Sequence, residues 1–198
     1  MDLSKELEFL HQVCNAVVPI SKSVWNSLPN SFFTRRILGA GEFFLREGKE
    51  ARELAILVSG VMKESYQTSK GDEYVKSYVF PGEFTGSYYD LLSQKPSTCS
   101  IRTLQEVTLY AAPFSQFIEL SQRELIWKEF RLRLVESLFC KKAKREFELL
   151  TMDAKDRYLV LTKEKPELES FLTQKQLASY LRITPVSLSR IKNSLKKN

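Results

Sequence analysis

The side chains best placed to do chemistry in this 198-residue chain are cations gathered at one end. Between Phe171 and Asn198 lie Lys175, Arg182, Arg190, Lys192, Lys196 and Lys197, with no acid among them. Positions 1–170 balance 24 basic against 24 acidic residues, so the net charge of +6 resides in that terminal segment. Cations without counter-charge suit a phosphate polyanion, whose neutralisation releases condensed counterions. Other chemistry is poorly provided for. His11 is the single histidine, which leaves no nucleophile, base and orienting group to assemble and no multi-histidine metal centre. Cys14, Cys99 and Cys140 lack close spacing and are too few for a four-thiolate zinc or iron–sulfur site. They read as reduced thiols with packing roles. No catalytic residue, metal ligand or cofactor is assigned, and an enzyme is not expected.

The elements around the cations give them a direction. Thr173-x-x-Gln176 has capping-box spacing and opens a short helix, Gln174 to Leu181. After a break at Arg182-Ile183, Thr184 caps a second helix and Pro185 takes its first position, where a missing N–H costs nothing. That helix runs to about Leu195. Two helices joined by so short a turn have the helix-turn-helix layout. Ala178 is small where the helices cross, and Leu177, Leu181, Ile183, Leu188 and Ile191 supply a compact core. The outward face of the second helix then presents Pro185, Val186, Ser189, Arg190 and Asn193. Arg190 can take guanine O6 and N7 bidentately or a backbone phosphate, and Val186 can touch a thymine methyl. Thr184, Ser187, Ser189 and Lys192 are candidates for phosphate contacts. The expected partner is double-stranded DNA; the plainer reading is a helical hairpin with a basic face.

The preceding residues must carry this tip. Leu3, Leu7, Leu10, Val13 and Val17 have helical spacing, Pro19 interrupts, and a second helix is expected from Ser21 to Leu28. All seven glycines lie between Gly39 and Gly86, among short alternating segments. Gly48, Gly60, Gly71 and Gly82 recur at nearly even spacing, the pattern of a small antiparallel barrel or jelly roll. Within it, Tyr74, Lys76 and Tyr78 are expected on one strand face, with Val75, Ser77 and Val79 on the other. No Gly or Pro occurs from Phe114 to Lys165. The Ser121-x-x-Glu124 capping spacing predicts a helix from about Gln122 to Leu149, some 40 Å long at about 1.5 Å per residue. Leu125, Leu132 and Phe139 repeat every seven residues with Val135 between them, a partial heptad suited to pairing with a second copy. A second stripe, Trp127, Phe130, Leu134 and Leu138, is left to face the barrel; a helix buried wholly within its own subunit is the alternative. Asp153 caps a further helix that stops near Pro166. No apolar run is long enough to span a membrane and no secretory leader is evident, so a cytoplasmic protein is expected.

The order of features resembles a known family. The run Gly39-Ala-Gly-Glu-Phe-Phe-Leu-Arg-Glu-Gly48, then Leu54-Ala-Ile-Leu-Val-Ser-Gly60, Gly71 and Phe80-Pro-Gly-Glu-Phe84, looks like the cyclic-nucleotide-binding β-roll. Leu177-Ala-Ser-Tyr-Leu181 with Ile183-Thr-Pro-Val-Ser-Leu-Ser-Arg190 resembles the DNA-reading motif of the same family. The chain is identified as a divergent member of the cyclic-AMP receptor protein (catabolite activator) and fumarate-nitrate regulator superfamily of bacterial transcription regulators. The resemblance implies an α+β chain in three parts. These are a double-stranded β-helix (jelly-roll) with N-terminal helices over 1–112, a long dimerisation helix over 113–150, and a helix-turn-helix domain over 151–198. It implies a homodimer, a small-molecule effector of unknown identity, and RNA polymerase as a further partner. In such rolls a Gly-Glu pair opens a phosphate-binding cassette that an Arg followed by Ser or Thr closes. Gly82-Glu83 matches the opening and Ser97-Thr98 the close, with Ser97 in place of the Arg and a loop about four residues longer. Without that cation, weak or absent cyclic AMP binding is expected. Arg102 either substitutes or faces solvent, and Glu83 either binds ribose or caps a turn. A constitutive DNA binder with a purely structural roll, and a nucleotide-sensing module acting through a protein partner, are the rival readings. Arg182 stands where the family's turn often has Gly. With Asn198 so close behind the second helix, a following β-wing is expected to be reduced or absent.

Overall fold

A computed structural model describes residues 2–71, 73–166 and 168–196. Asp72 of the polar turn, Glu167, Lys197 and Asn198 lie outside the described residues. Helix α1 (Leu3–Val17) stops before Pro19, and α2 (Lys22–Asn26) begins after Ser21, whose hydroxyl accepts from the Val24 amide. α1 is rotated from the expected stripe: Leu3 and Leu7 are exposed, whereas Glu6, Leu10, His11 and Cys14 are buried. The cause is an inward carboxylate. Glu6 accepts from Arg35 Nε at 2.7 Å and from the Tyr110 hydroxyl at 2.8 Å. His11 is structural, its Nε2 lying 2.8 Å from the Ile20 carbonyl and its ring 5.2 Å from that of Trp25.

The hydrogen bond from Arg35 holds the Glu6 carboxyl at about 2, below the ordinary 4.5, against the opposing effect of burial. A depressed carboxylate stabilises the fold above its unfolded value and ceases to do so as pH falls through its folded value. Glu6→Gln is therefore expected to lower stability by about 3 kcal/mol at neutral pH. It should also remove part of the wild-type loss between about pH 5 and pH 2, read as denaturant midpoints across that range.

The strands are β1 (Thr34–Leu38), β2 (Phe43–Leu45), β3 (Glu53–Ser59), β4 (Met62–Gln67), β5 (Glu73–Val79), β6 (Phe84–Thr85), β7 (Ser100–Thr103) and β8 (Val107–Pro113). They form two antiparallel sheets, ordered β1-β8-β3-β6 and β2-β7-β4-β5, which face each other across Leu45, Leu57, Met62, Ile101 and Leu109. The evenly spaced corners are real: Gly48, Gly60, Gly71 and Gly82 all have positive φ, from 77° to 86°. At Gly60 a Cβ would also lie 2.5 Å from the Glu106 carbonyl, so a side chain there would force the β3–β4 corner open. The alternation expected along β5 fails at a bulge. Glu64 pairs with Ser77 and Ser65 with Val75, leaving Lys76 unpaired. Lys76 reaches Glu64 instead (3.1 Å), while Val75 and Tyr78 both join the C-terminal core.

Helix α3 (Tyr88–Ser93) interrupts the roll, and α4 (Phe114–Arg123) follows it. The expected single helix from about Gln122 is broken at Glu124, which is extended, and α5 runs from Leu125 to Thr151. Ser121 does not cap it; its hydroxyl donates to the Ile118 carbonyl within α4. Trp127, Phe130 and Leu134 are buried against Leu10, Cys14 and Ile56, so the barrel-facing stripe holds, with Leu138 at its edge. Cys14 and Cys99 are buried, whereas Cys140 on α5 is exposed and has no packing role. Helices α6 (Ala154–Glu164), α7 (Leu168–Phe171), α8 (Gln174–Leu181) and α9 (Pro185–Leu195) complete the chain. They share one core with the roll, in which Val61, Val75, Tyr78 and Phe80 meet Leu161, Leu168, Leu177 and Leu181. Among the described residues no helix is long and apolar enough to cross a membrane.

Candidate DNA interface and sensor cassette

Local sequence sets the geometry of α8 and α9. Thr173 and Gln176 form the full capping box, Thr184 accepts from the Ser187 amide at 3.1 Å, and Pro185 occupies the first turn of α9. Leu177, Ala178, Leu181 and Leu188 are buried and lock the crossing. The face opposite this core is open. Pro185, Val186, Ser189, Arg190 and Asn193 are exposed, as the sequence predicts, and Val186 retains 61% of its surface. Ser187 is half-buried, its hydroxyl 2.9 Å from that of Thr184. Lys192 departs from its expected place. Its ammonium lies 3.0 Å from Glu169, which also accepts from the Tyr158 hydroxyl at 2.5 Å. This residue ties α9 to α7 and is not on the open face. Glu169, the acid that neutralises it, lies just outside the acid-free segment, so charge counting alone could not reveal the pairing.

Arg182 between the helices has φ 59° and ψ 42°, the left-handed conformation that glycine adopts without strain. Its guanidinium sits 4.8 Å from the centre of the Tyr74 ring on β5. Close by, the Tyr78 hydroxyl donates to the Gln176 carbonyl at 3.1 Å, and Arg145 of α5 donates to the Tyr180 carbonyl. The turn thus gains a contact with the roll in exchange for backbone strain. Comparing Arg182→Gly with Arg182→Ala isolates the strain, since both lose the ring contact. The Gly variant should be more stable than the Ala variant by about 1 kcal/mol in urea unfolding.

Gly82-Glu83 and Ser97-Thr98 turn to different partners. Gly82 faces Phe9 and Val13 of α1, outside the roll. The Glu83 carboxylate accepts from the Phe80 amide at 3.0 Å and from Lys165 at 3.1 Å, with Lys141 at 3.7 Å, so it caps a turn and anchors helices. What meets Ser97 and Thr98 instead is Asp90, on the segment that follows Gly86. Gly86 has φ 133°, and a Cβ there would meet the Glu53 carbonyl at 2.9 Å. Behind it α3 starts, and Asp90 on its first turn is buried with Ser87 and Ser97. Ser97 Oγ donates to Asp90 Oδ2 at 2.7 Å and the Thr98 amide does so at 3.3 Å. Further inside, Glu64 is buried against Lys76 and accepts from the Ser77 and Thr85 hydroxyls. Arg102 does not substitute for the missing cation. Its Nε donates to the Gly41 carbonyl at 2.7 Å, and its exposed guanidinium rests by Phe43 on the outer surface.

Comparison with known proteins agrees with this geometry. Residues 35–124 match the cyclic nucleotide-binding domain family. No curated protein matches the chain. Among solved structures, FixK2 from Bradyrhizobium japonicum superposes with a TM-score of 0.74 at 13% identity, covering 83% of this chain and 85% of that one. A CooA mutant from Carboxydothermus hydrogenoformans gives 0.68 at 15% identity, covering 89% and 84%. A Eubacterium rectale protein assigned to the Crp/Fnr family of transcriptional regulators gives 0.67 at 12% identity, covering 87% and 86%. The chain has the Crp/Fnr fold. That fold comprises the roll of two antiparallel sheets, the long α5 and the helix-turn-helix of α8 and α9. At these identities the likeness shows the fold alone, and a fold does not by itself say what the chain recognises.

Proposed function

We propose that this chain is a homodimeric, DNA-binding transcription regulator whose cyclic nucleotide-binding-like roll does not take cyclic AMP. The observation that carries the reading is the open face of α9, where Arg190 and Val186 stand clear on a fully capped helix-turn-helix. Thr184, Pro185, Ser187, Ser189 and Asn193 surround them. Arg190 is assigned to a base edge, and Thr184 and Ser189 to phosphates. Pairing of two α5 helices through Leu125, Leu132 and Phe139 would set the two α9 helices for half-sites about 34 Å apart. The chain acts in the compartment that holds the DNA, as a binding protein and not as an enzyme, and RNA polymerase is the natural further contact of such a regulator.

Binding to pools of random duplex, titrated with salt, tests the reading. Affinity should fall steeply and log-linearly with salt concentration, with enrichment of a two-fold symmetric site. Salt-independent or undetectable binding would refute it. A second reading, a constitutive binder with a structural roll, is favoured by the intramolecular partners of Ser97 and Thr98.

A further inference from the structure

We propose that the roll carries its own anion: the Asp90 carboxylate occupies the seat in which a ligand's phosphate would lie, and holds the cassette closed without any exogenous ligand. This rests on the reading that the roll does not take cyclic AMP, and it gives that reading a cause. The donors of the cassette converge on one carboxylate. Ser97 Oγ reaches Asp90 Oδ2 at 2.7 Å and the Thr98 amide reaches the same oxygen at 3.3 Å, while Thr98 Oγ1 lies 3.4 Å from Oδ1. Ser87, the residue before α3, is buried as well. Two hydroxyls and an amide, from Ser97 and Thr98, are what an oxyanion needs, and here they already have one.

The carboxylate is also buried and pinned, although Thr98 itself is exposed. Asp90 retains 1% of its surface, Ser97 2% and Ser87 5%. Ser97 is fixed from behind, its amide donating to the Lys49 carbonyl and its carbonyl accepting from Gly48, both at 2.8 Å. Among the described residues no Lys or Arg forms an ion pair with Asp90, so neutral donors alone hold the charge. Burial works against ionisation, but the bonds from Ser87, Ser97 and Thr98 outweigh it and hold the carboxyl below its ordinary value. A second anion in the same seat would meet this charge directly, with no Lys or Arg paired to it, since Lys76 is already held by Glu64 at 3.1 Å. The absence of Arg at Ser97 is therefore matched by an acid at Asp90: a cation would serve a visiting phosphate, whereas a resident carboxylate is satisfied by the hydroxyls.

The test is chemical replacement of the missing carboxylate in the full chain. Asp90→Ala should lower the melting temperature by about 5–10 °C in chloride. Sodium formate at matched ionic strength should restore at least half of that loss, and inorganic phosphate should also raise the variant's midpoint. Wild type and Asp90→Asn, whose seats are filled, should respond to formate no more than to chloride. If Asp90→Ala does not fold in chloride, refolding in formate makes the same comparison: recovery in formate alone supports the proposal, and failure in both salts overturns it. An unchanged melting temperature, or equal formate responses in variant and wild type, also overturns it. Because the readout is unfolding, loss of the DNA-binding reading would leave these outcomes intact. Stabilisation of wild type by cyclic AMP would overturn the proposal together with the reading beneath it, whereas absent formate rescue overturns the proposal alone.

Discussion

Leu132→Asp, or Phe139→Asp, is expected to convert the chain from dimer to monomer and to weaken binding to a two-half-site operator by two to four orders of magnitude. On α5 the side chains of Leu125, Leu132, Phe139, Phe147 and Leu150 are 83%, 55%, 69%, 57% and 77% exposed, a stripe opposite the one that covers the roll. Each such side chain contributes about 1.5–3 kcal/mol when fully buried, so pairing this stripe with itself is strongly favourable. A carboxylate there must be desolvated beside its own symmetry mate, which adds like-charge repulsion. DNA affinity falls with it because two linked reading heads bind with an effective concentration that a single head lacks, typically about 10²–10⁴-fold in avidity. Sedimentation and anisotropy on one sample measure both effects. The helix-turn-helix should remain folded, since its core is Leu177, Leu181 and Leu188 and lies away from the stripe. A variant that stays dimeric, or a monomer with undiminished affinity, would refute the seam.

Arg190→Ala is expected to cost about 1–3 kcal/mol per half-site, and a symmetric operator counts it twice. The result is a loss of roughly 30-fold at the least. If Arg190 reads a guanine, the variant should lose selectivity at one base pair of each half-site. If it contacts a phosphate, affinity should fall uniformly across sequences and the salt slope should shrink by about one per head. Lys192→Ala supplies the contrast. Its ammonium is held by Glu169, so its removal should act on the stability of the α7–α9 junction and leave the salt slope almost unchanged.

The contact between roll and reading head explains how the two could be coupled. Strand β5 supplies Val75 and Tyr78 to the core of the C-terminal helices, Tyr74 to the Arg182 guanidinium, and the Tyr78 hydroxyl to the Gln176 carbonyl. Lys76, skipped by the bulge, points to Glu64 on the other side. A change inside the roll therefore meets the helix-turn-helix through β5 together with its neighbours Val61 and Phe80. On the proposed function, an Asp90 that holds the cassette closed would make DNA binding independent of an effector.

What the sequence by itself determined is local. Caps at Ser21, Asp153, Thr173 and Thr184, the proline at the start of α9 and the glycine corners act over three or four residues, and all are present. The outward face of α9 and the roll-facing stripe of α5 follow from helical period once the helices are placed. What only the tertiary structure decided depends on partners distant in sequence. Glu6 turns inward because Arg35 and Tyr110 await it, which rotates α1 away from the face its leucines suggest. The seven-residue spacing found Leu125, Leu132 and Phe139, but Val135 is half-buried and the exposed stripe continues through Phe147 and Leu150, because a straight helix drifts from a strict heptad. Lys192 looks free until Glu169 is brought across from α7. The cassette shows the same limit. The sequence points to Gly82-Glu83 as the partner segment of Ser97-Thr98, and only the fold shows that Asp90 meets those two residues. A buried charge must find its donors, and which donors reach it is settled by the folded chain, not by its spacing.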